Sequence, residues 1–187
     1  MRVVAGRFGR TRLETLPGDA VRPTADRVKE ALFATLGPRL SGARVVDCFA
    51  GTGSLGIEAL SRGASRVWFV EQAPGSLRLL SRNLERLGSP PEARMVAASA
   101  LTPAVWGKEI LPVDLILADP PYRLGLGVEF LAGLAGVQAL AEGGLLVLEH
   151  ESGAEPGHPA WTPTQRRRYG DTTVSLFTPT APGRGAV

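Results

Sequence analysis

Apolar residues along this chain alternate between short runs and faces with helical spacing. Short apolar runs typical of buried strands occupy residues 45–49, 66–70, 94–98 and 113–118. Segments with helical spacing occupy residues 55–62, 75–87 and 128–140. Within residues 75–87, Leu77, Leu80, Leu84 and Leu87 recur at i, i+3, i+7 and i+10 and form one apolar face. This alternation predicts an α/β fold in which helices cover both faces of a parallel sheet.

The two ends of the chain have different patterns. Gly143-Gly144 precede a strand predicted at 145–149, and the prolines of residues 152–163 predict a loop. Residues 166–169 and 172–177, separated by Gly170-Asp171, predict a closing β-hairpin. Residues 1–13 predict a small hairpin arm, and Thr24 is predicted to cap the helix that follows it. We therefore expect an N-terminal basic arm and helix at 1–44, a core at 45–178 and a flexible tail at 179–187.

A glycine-rich turn follows the first predicted strand. Residues 51–56 match G-x-G-x-x-G, and Glu71 follows Gly51 by twenty positions. Such a turn lets the backbone approach an adenosine-bearing ligand, and the acid typically holds ribose hydroxyls. The turn alone does not separate a nicotinamide cofactor from S-adenosylmethionine. Asp47 favours the latter, because a carboxylate beside the turn suits a sulfonium-bearing zwitterion better than an anionic pyrophosphate.

Residues 119–122, Asp-Pro-Pro-Tyr, directly follow the fourth predicted strand. The Asp119 carboxylate and the Pro120 carbonyl can accept both hydrogens of an exocyclic amine, and Tyr122 offers a ring for base stacking. An amine held in this way directs its lone pair at an electrophile, which is methyl-transfer chemistry and not hydride transfer. The alternative is a prolyl turn that only closes a buried strand.

Composition narrows the function classes further. The chain has 187 residues, is 44% hydrophobic, and contains one cysteine, Cys48, and two histidines. It can bury a core, but it cannot form an internal disulfide, and a metal site made by the protein alone is disfavoured. No apolar run approaches the roughly 18 residues that span a membrane, and no signal peptide is recognisable. We therefore expect a cytoplasmic protein with no metal and no membrane partner.

Charge is unevenly distributed along the chain. Residues 1–44 carry nine Lys and Arg against four Asp and Glu, residues 45–160 carry eight against thirteen, and residues 161–187 carry four against one. Basic ends around an acidic middle predict a polyanionic partner held by terminal elements. Arg7, Arg10, Arg12 and Arg22 are the candidate phosphate contacts in the first segment.

Four segments together resemble the bacterial 16S rRNA guanine-N2 methyltransferases of the RsmD type. They are residues 22–33, 47–64, 119–122 and 169–172, and the resemblance spans residues 2–178. Adenine-N6 and protein-glutamine methyltransferases share the 119–122 tetrad, whereas the first and last segments are more specific. The resemblance implies a Rossmann-like class I methyltransferase with a seven-stranded, mostly parallel sheet whose last strand is antiparallel. It also implies S-adenosylmethionine as cofactor, 16S rRNA or an assembling 30S subunit as partner, and a monomer.

The resemblance also implies which residues bind the cofactor. Asp47 and the glycine turn line its methionine portion, Glu71 holds the ribose, and Gln72 lies beside the adenine. Where many relatives carry an acid after the third strand, this chain has Ala98-Ser99-Ala100, so that Ser99 or the backbone of Ala100 is expected to replace this contact. The full expected set is Asp47, Phe49, Ala50, Gly51, Thr52, Gly53, Glu71, Gln72, Ser99 and Ala100.

The expected chemistry follows from the poor nucleophilicity of guanine N2. Asp119 and the Pro120 carbonyl favour pyramidalisation of N2 as positive charge develops, and Tyr122 stacks on the extruded base. Asp119 can also take the released proton. No covalent intermediate is needed, so we predict that Cys48 is a buried strand residue. Arg7, Arg10 and Arg12 are expected to contact phosphates beside the base, while Arg22 and Thr24 hold the arm near the mouth of the site.

Three alternatives remain at this point. A DNA adenine-N6 methyltransferase would share the tetrad, but only about forty residues lie outside the core for target recognition. A nicotinamide-dependent oxidoreductase would share the glycine turn and would give the tetrad no role. A non-catalytic RNA-binding module would leave both motifs unexplained.

Overall fold

The computed structural model describes residues 1–15, 23–121 and 125–181, with the backbone alone for residues 23–26. Arg22 and Tyr122 lie outside these residues, as does the tail beyond residue 181. Seven described strands form one sheet in the order β3-β2-β1-β4-β5-β7-β6. Their bounds are β1 Arg44–Cys48, β2 Arg66–Glu71, β3 Ala93–Ala97, β4 Val113–Ala118, β5 Leu140–Glu151, β6 Trp161–Tyr169 and β7 Thr172–Pro179.

The sheet is parallel from β1 to β5 and reverses at its last strand. Each of the pairs β1–β2, β2–β3, β1–β4 and β4–β5 is parallel. β7 is antiparallel to both β5 and β6, and the Gly170-Asp171 turn joins β6 to β7 as a hairpin. This arrangement confirms the fold predicted from the sequence.

Helices cover the two faces unequally. They are α1 Pro23–Leu36, α2 Ser54–Ser61, α3 Pro74–Arg86 and α4 Gly127–Ala135. Apolar side chains of α1, α2 and α3 share one buried cluster with one face of the sheet. Those of α4 join a second cluster on the opposite face, together with Trp106 and Trp161. None of the helices in the described part of the chain is long and apolar enough to cross a membrane.

Two predicted boundaries after residue 128 were wrong. The helix predicted at 128–140 ends at Ala135, and Leu140 already begins β5, where it pairs with Val113. Apolar spacing continues through both elements, so tertiary pairing and not periodicity decides the boundary. The loop predicted at 152–163 is also shorter, since β6 begins at Trp161, whose indole N–H donates to the carbonyl of Leu131 at 2.9 Å. Pro163 is tolerated because β6 is an edge strand.

The N-terminal residues form the expected hairpin arm, closed by an antiparallel bridge between Arg2 and Arg12. Val3 and Leu13 of the arm are buried in the same cluster as α1, α2 and α3. The predicted cap at Thr24 was wrong, because α1 begins at Pro23 and Thr24 lies inside its first turn. Proline is favoured at the first helical position because its missing N–H needs no partner there.

Candidate active site

The carboxyl ends of the parallel strands bring the two predicted motifs together. Cys48 at the end of β1 pairs with Val70 on one side and Ala118 on the other. The next residues along the three strands are therefore Phe49, Glu71 and Asp119, in neighbouring positions at one edge of the sheet. Strands lie about 4.8 Å apart, so the glycine turn and the prolyl turn face a common space.

The glycines of the turn have separate tasks. Gly51 has a φ of +56°, and among the described residues outside its chain neighbours the Phe49 carbonyl oxygen alone lies within 4 Å of where a Cβ would be, at 3.8 Å. A Cβ at Gly53, by contrast, would meet Leu80 at 2.5 Å, and one at Gly56 would meet the Phe69 ring at 2.4 Å. Gly53 and Gly56 therefore permit close packing of α2, whereas Gly51 leaves room for a ligand.

Phe49 is the strained residue of this turn. Its φ of +56° lies in the left-handed region, which is unfavourable for a bulky side chain. Its ring meets Phe130 edge to face, with centroids 5.4 Å apart. Strain of this kind concentrates at functional sites, where the surrounding structure imposes it.

Asp47 is a buried carboxylate directly below the turn. Its side chain is 2% exposed, and its Oδ2 accepts the N–H of Gly56 at 2.8 Å, which satisfies a donor in the first turn of α2. Burial raises the pKa of Asp47 well above its usual range, and the nearby Asp119 and Glu71 carboxylates raise it further, against the opposing effect of the Gly56 bond. A positively charged group above the turn would relieve this cost.

Glu71 ends β2 and connects the turn to α3. Its Oε2 accepts the N–H of Gly51 at 2.9 Å, while Oε1 accepts those of Gln72 and Ala73 at 2.8 and 2.7 Å. A carboxylate has about four acceptor sites, so roughly one more hydrogen bond can be accepted, at Oε2. For Glu71 to bind two ribose hydroxyls, one of these hydrogen bonds to the backbone would have to be replaced.

The predicted adenine contacts lie beside Glu71. The N–H of Ala98 donates to the Glu71 carbonyl at 3.1 Å, which anchors the loop after β3. Both oxygens of Ser99 accept bonds within this loop, from the N–H of Leu101 at 3.2 Å and from the indole of Trp106 at 2.9 Å. Ala100 is buried, and Gln72 is exposed. The loop is thus held at the edge of the site without a carboxylate of its own.

Asp119 and Pro120 follow β4 at the position expected from the sequence. The Asp119 side chain is exposed, whereas Pro120 is buried. The Asp119 charge raises the pKa of both Asp47 and Glu149, so the three carboxylates share one electrostatic environment. The stacking predicted for Tyr122 concerns a residue outside those described.

Sequence reasoning gave no role to Glu149, which ends the apolar run of β5 and is 8% exposed. Burial raises the pKa of Glu149 well above its usual range, Asp119 and Asp47 add to this, and Lys29 opposes it. The signal was present in the sequence: an acid at or next to the carboxyl end of an apolar strand, as at Asp47, Glu71 and Asp119. Cys48 is fully buried on β1, as predicted, and burial raises the pKa of its thiol.

Buried polar residues attach the arm to the site. The Glu58 carboxylate is fully buried and accepts the N–H groups of Val4 and Ala5 at 2.7 and 3.1 Å. The Lys29 ammonium donates to the Arg2 carbonyl at 2.6 Å and contacts Ser54 Oγ at 3.2 Å, at the start of α2. The arm is therefore part of the support of the glycine turn.

The predicted phosphate contacts of Arg7, Arg10 and Arg12 stay predictions, and the structure places Arg7 at the edge of the sheet opposite the prolyl turn. Arg7 forms an ion pair with Glu92 at 2.9 Å, and Glu92 immediately precedes β3. This is the amino edge of the sheet, opposite the edge that carries Asp119. Arg10 and Arg12 are exposed, and the Arg12 carbonyl accepts a bond from Arg86 near the end of α3. Contact between Arg7 and phosphates next to an extruded base at Asp119 is therefore not supported.

The described residues hold no group of three or more His, Cys, Asp or Glu side chains arranged for a metal ion. The carboxylates at the edge of the sheet come from separate strands. They lie around the glycine turn after β1, with Glu71 at the end of β2 on one side and Asp119 after β4 on the other.

Several known proteins are similar to this chain over most of its length. A family model described as "Conserved hypothetical protein 95" matches residues 1–178. The chain is 32% identical over 185 residues to the ribosomal RNA small subunit methyltransferase D of Escherichia coli strain K12, covering 98% of this chain and 92% of that protein. It is 32% identical over 179 residues to the protein of the same name from Haemophilus influenzae, covering 95% and 93%. The solved structure of Escherichia coli yhhF superposes with a TM-score of 0.81 and 31% identity, covering 97% of this chain and 99% of that one.

Proposed function

Because the chain belongs to the family described as conserved hypothetical protein 95, we propose that it methylates the exocyclic N2 amine of a guanine in small-subunit rRNA. The methyl donor would be S-adenosylmethionine. The similar proteins named ribosomal RNA small subunit methyltransferase D support the class of substrate. The observation that carries the chemistry is the meeting of the glycine turn and the Asp119-Pro120 turn at adjacent strand ends.

The residues at the turn fit S-adenosylmethionine. Gly51 leaves open space for a close approach, Glu71 has acceptor capacity beside it, and the loop with Ser99 and Ala100 lies next to Glu71. The buried Asp47 suits a cationic ligand group, since its own environment opposes its negative charge. Once bound, this cofactor supplies an electrophilic methyl group.

The reaction requires positioning more than covalent chemistry. Asp119 and the Pro120 carbonyl accept the two N2 hydrogens, which orients the lone pair and stabilises the positive charge that develops on nitrogen. Asp119 is exposed and can pass the released proton to water. Tyr122 is proposed to stack on the base, and the proposed setting is a monomer acting in the cytoplasm on rRNA or an assembling 30S subunit.

A methyl-transfer assay with three substrates tests the proposal. Labelled S-adenosylmethionine is incubated with 16S rRNA, assembled 30S particles and double-stranded DNA, with the Asp119→Ala variant as control. We expect label on rRNA or 30S particles, and loss of that label in the variant. Label on DNA alone would favour a DNA methyltransferase over the proposed activity, and no transfer with any substrate would overturn it.

A further inference from the structure

Three consecutive arginines, Arg166–Arg168, lie on β6, the edge strand next to β7. We call them the β6 arginine patch. All three are exposed, and they belong to a segment to which sequence reasoning assigned no site residue. The mechanism described above does not use them.

Strand register places this patch level with the prolyl turn. Arg167 pairs with Val174, and Val174 pairs with Glu149 on β5. Ala118 pairs with Leu148, so Glu149 and Asp119 are neighbours in the same row. The patch therefore lies at the carboxyl edge, three strand spacings from Asp119. At about 4.8 Å per strand this is about 14 Å.

The present partners of the patch are weak. Arg166 pairs with Glu155 at 3.0 Å, but the two side chains are 37% and 77% exposed. Arg167 contacts the Thr35 hydroxyl at 3.3 Å, and Arg168 contacts the Gly170 carbonyl at 3.0 Å. Exposed ion pairs contribute about 0–1 kcal/mol, so phosphate groups can replace these partners at little cost.

Arg7 of the N-terminal arm differs from the patch both in its partner and in its position on the sheet. Arg7 pairs with Glu92, whose carboxylate pKa is lowered chiefly by the hydrogen bond from Arg7. That contact lies at the amino edge, on the far side of the sheet from Asp119. Arg7 is thus directed away from the edge where a target base would be held, whereas the patch lies at that edge.

We infer that the β6 arginine patch binds the RNA backbone beside the target nucleotide. This inference rests on the proposed function, because it takes the base to be held at Asp119. At about 14 Å from Asp119, the patch can contact phosphates of nucleotides near the target base. The patch would fix the register of the RNA, while Asp119 and Pro120 receive the base.

A different explanation for charges on an edge strand is protection against pairing with another chain. In that case the arginines act only on association of the protein, and RNA binding does not depend on them. The two explanations differ in the salt dependence of RNA affinity, because each phosphate contact that is lost also removes counterion release.

The test is filter binding of a full-length 16S rRNA transcript between 50 and 300 mM KCl. The patch variant carries Arg166→Gln, Arg167→Gln and Arg168→Gln. The matched control carries Arg39→Gln, Arg94→Gln and Lys108→Gln, which removes three exposed charges from the amino-edge side. A third variant replaces all three patch residues by Lys. Light scattering and affinity for S-adenosylmethionine report on association and folding.

The patch variant should lower the slope of log affinity against log salt by about 2, and affinity at 150 mM KCl by about tenfold or more. The Lys variant should retain most of the slope, and Glu155→Gln should tighten binding because Arg166 loses its competing partner. If the patch variant shows the same salt slope of RNA affinity as the matched control, the inference is overturned, even if the variant self-associates. If the wild-type protein methylates neither the transcript nor assembled 30S particles, the proposed function itself fails, and this outcome is distinct from the first.

Discussion

Replacing Glu71 by alanine tests the cofactor site most sharply. In the structure its Oε2 accepts the Gly51 N–H and has capacity for about one further bond, which we assign to a ribose hydroxyl. A hydrogen bond to a charged group contributes about 1.5–3 kcal/mol, and about 1.4 kcal/mol corresponds to a factor of ten. Glu71→Ala should therefore weaken S-adenosylmethionine binding by about tenfold to a hundredfold in isothermal titration calorimetry.

A second variant separates ligand binding from local structure. Glu71→Gln keeps one carbonyl oxygen for the exposed N–H groups of Gln72 and Ala73, but it places an amide where Oε2 meets Gly51. It should lose a comparable part of the affinity while α3 still begins normally. Glu85→Ala, on the exposed side of α3, is the control and should bind as the wild type does. Donor affinity within twofold of wild type in both Glu71 variants would remove this residue from the site.

Three further changes test the chemistry. Asp119→Ala should keep donor affinity but lower the single-turnover methylation rate by about a hundredfold to a thousandfold, as for loss of one transition-state hydrogen bond; an unchanged rate would exclude the amine clamp. Tyr122→Ala should raise the RNA concentration needed for half-maximal methylation, whereas Tyr122→Phe should not, and equal effects of both would argue against stacking. Asp47→Asn should melt at a higher temperature than wild type near pH 7, since the raised folded-state pKa costs stability as pH rises above the unfolded value of about 3.9. That difference should shrink towards pH 4, and a gap independent of pH would contradict the assignment.

Most of the fold follows from local patterns in the sequence. Apolar runs ended by an acid correspond to β1, β2 and β4 within about one residue, because buried parallel strands need continuous apolar character on both faces. The β6–β7 hairpin follows from its Gly-Asp turn. The start of β5 was missed because Leu140 continues the apolar spacing of α4, and only its pairing with Val113 reveals a strand.

The site was predictable where chemistry is local and not where it depends on packing. Asp47, Glu71 and Asp119 were identified because each lies at or next to the carboxyl end of a strand, and the sheet then brings them together. The position of Arg7 was not predictable, since nothing in the arm sequence indicates that Glu58 and Ser61 hold the arm along α2. The β6 arginine patch was not identified from the sequence either, because only three strand pairings place it in the same row as Asp119.

The proposed methylation of guanine N2 is tested most directly by identifying the nucleoside that gains the methyl group. Small-subunit rRNA from cells lacking this protein is treated with the purified enzyme and S-adenosylmethionine, digested to nucleosides and analysed by mass spectrometry. We expect a gain of N2-methylguanosine with the wild-type enzyme and none with Asp119→Ala. A gain of N6-methyladenosine, or of a methyl group on a ring carbon or ribose oxygen, would contradict it.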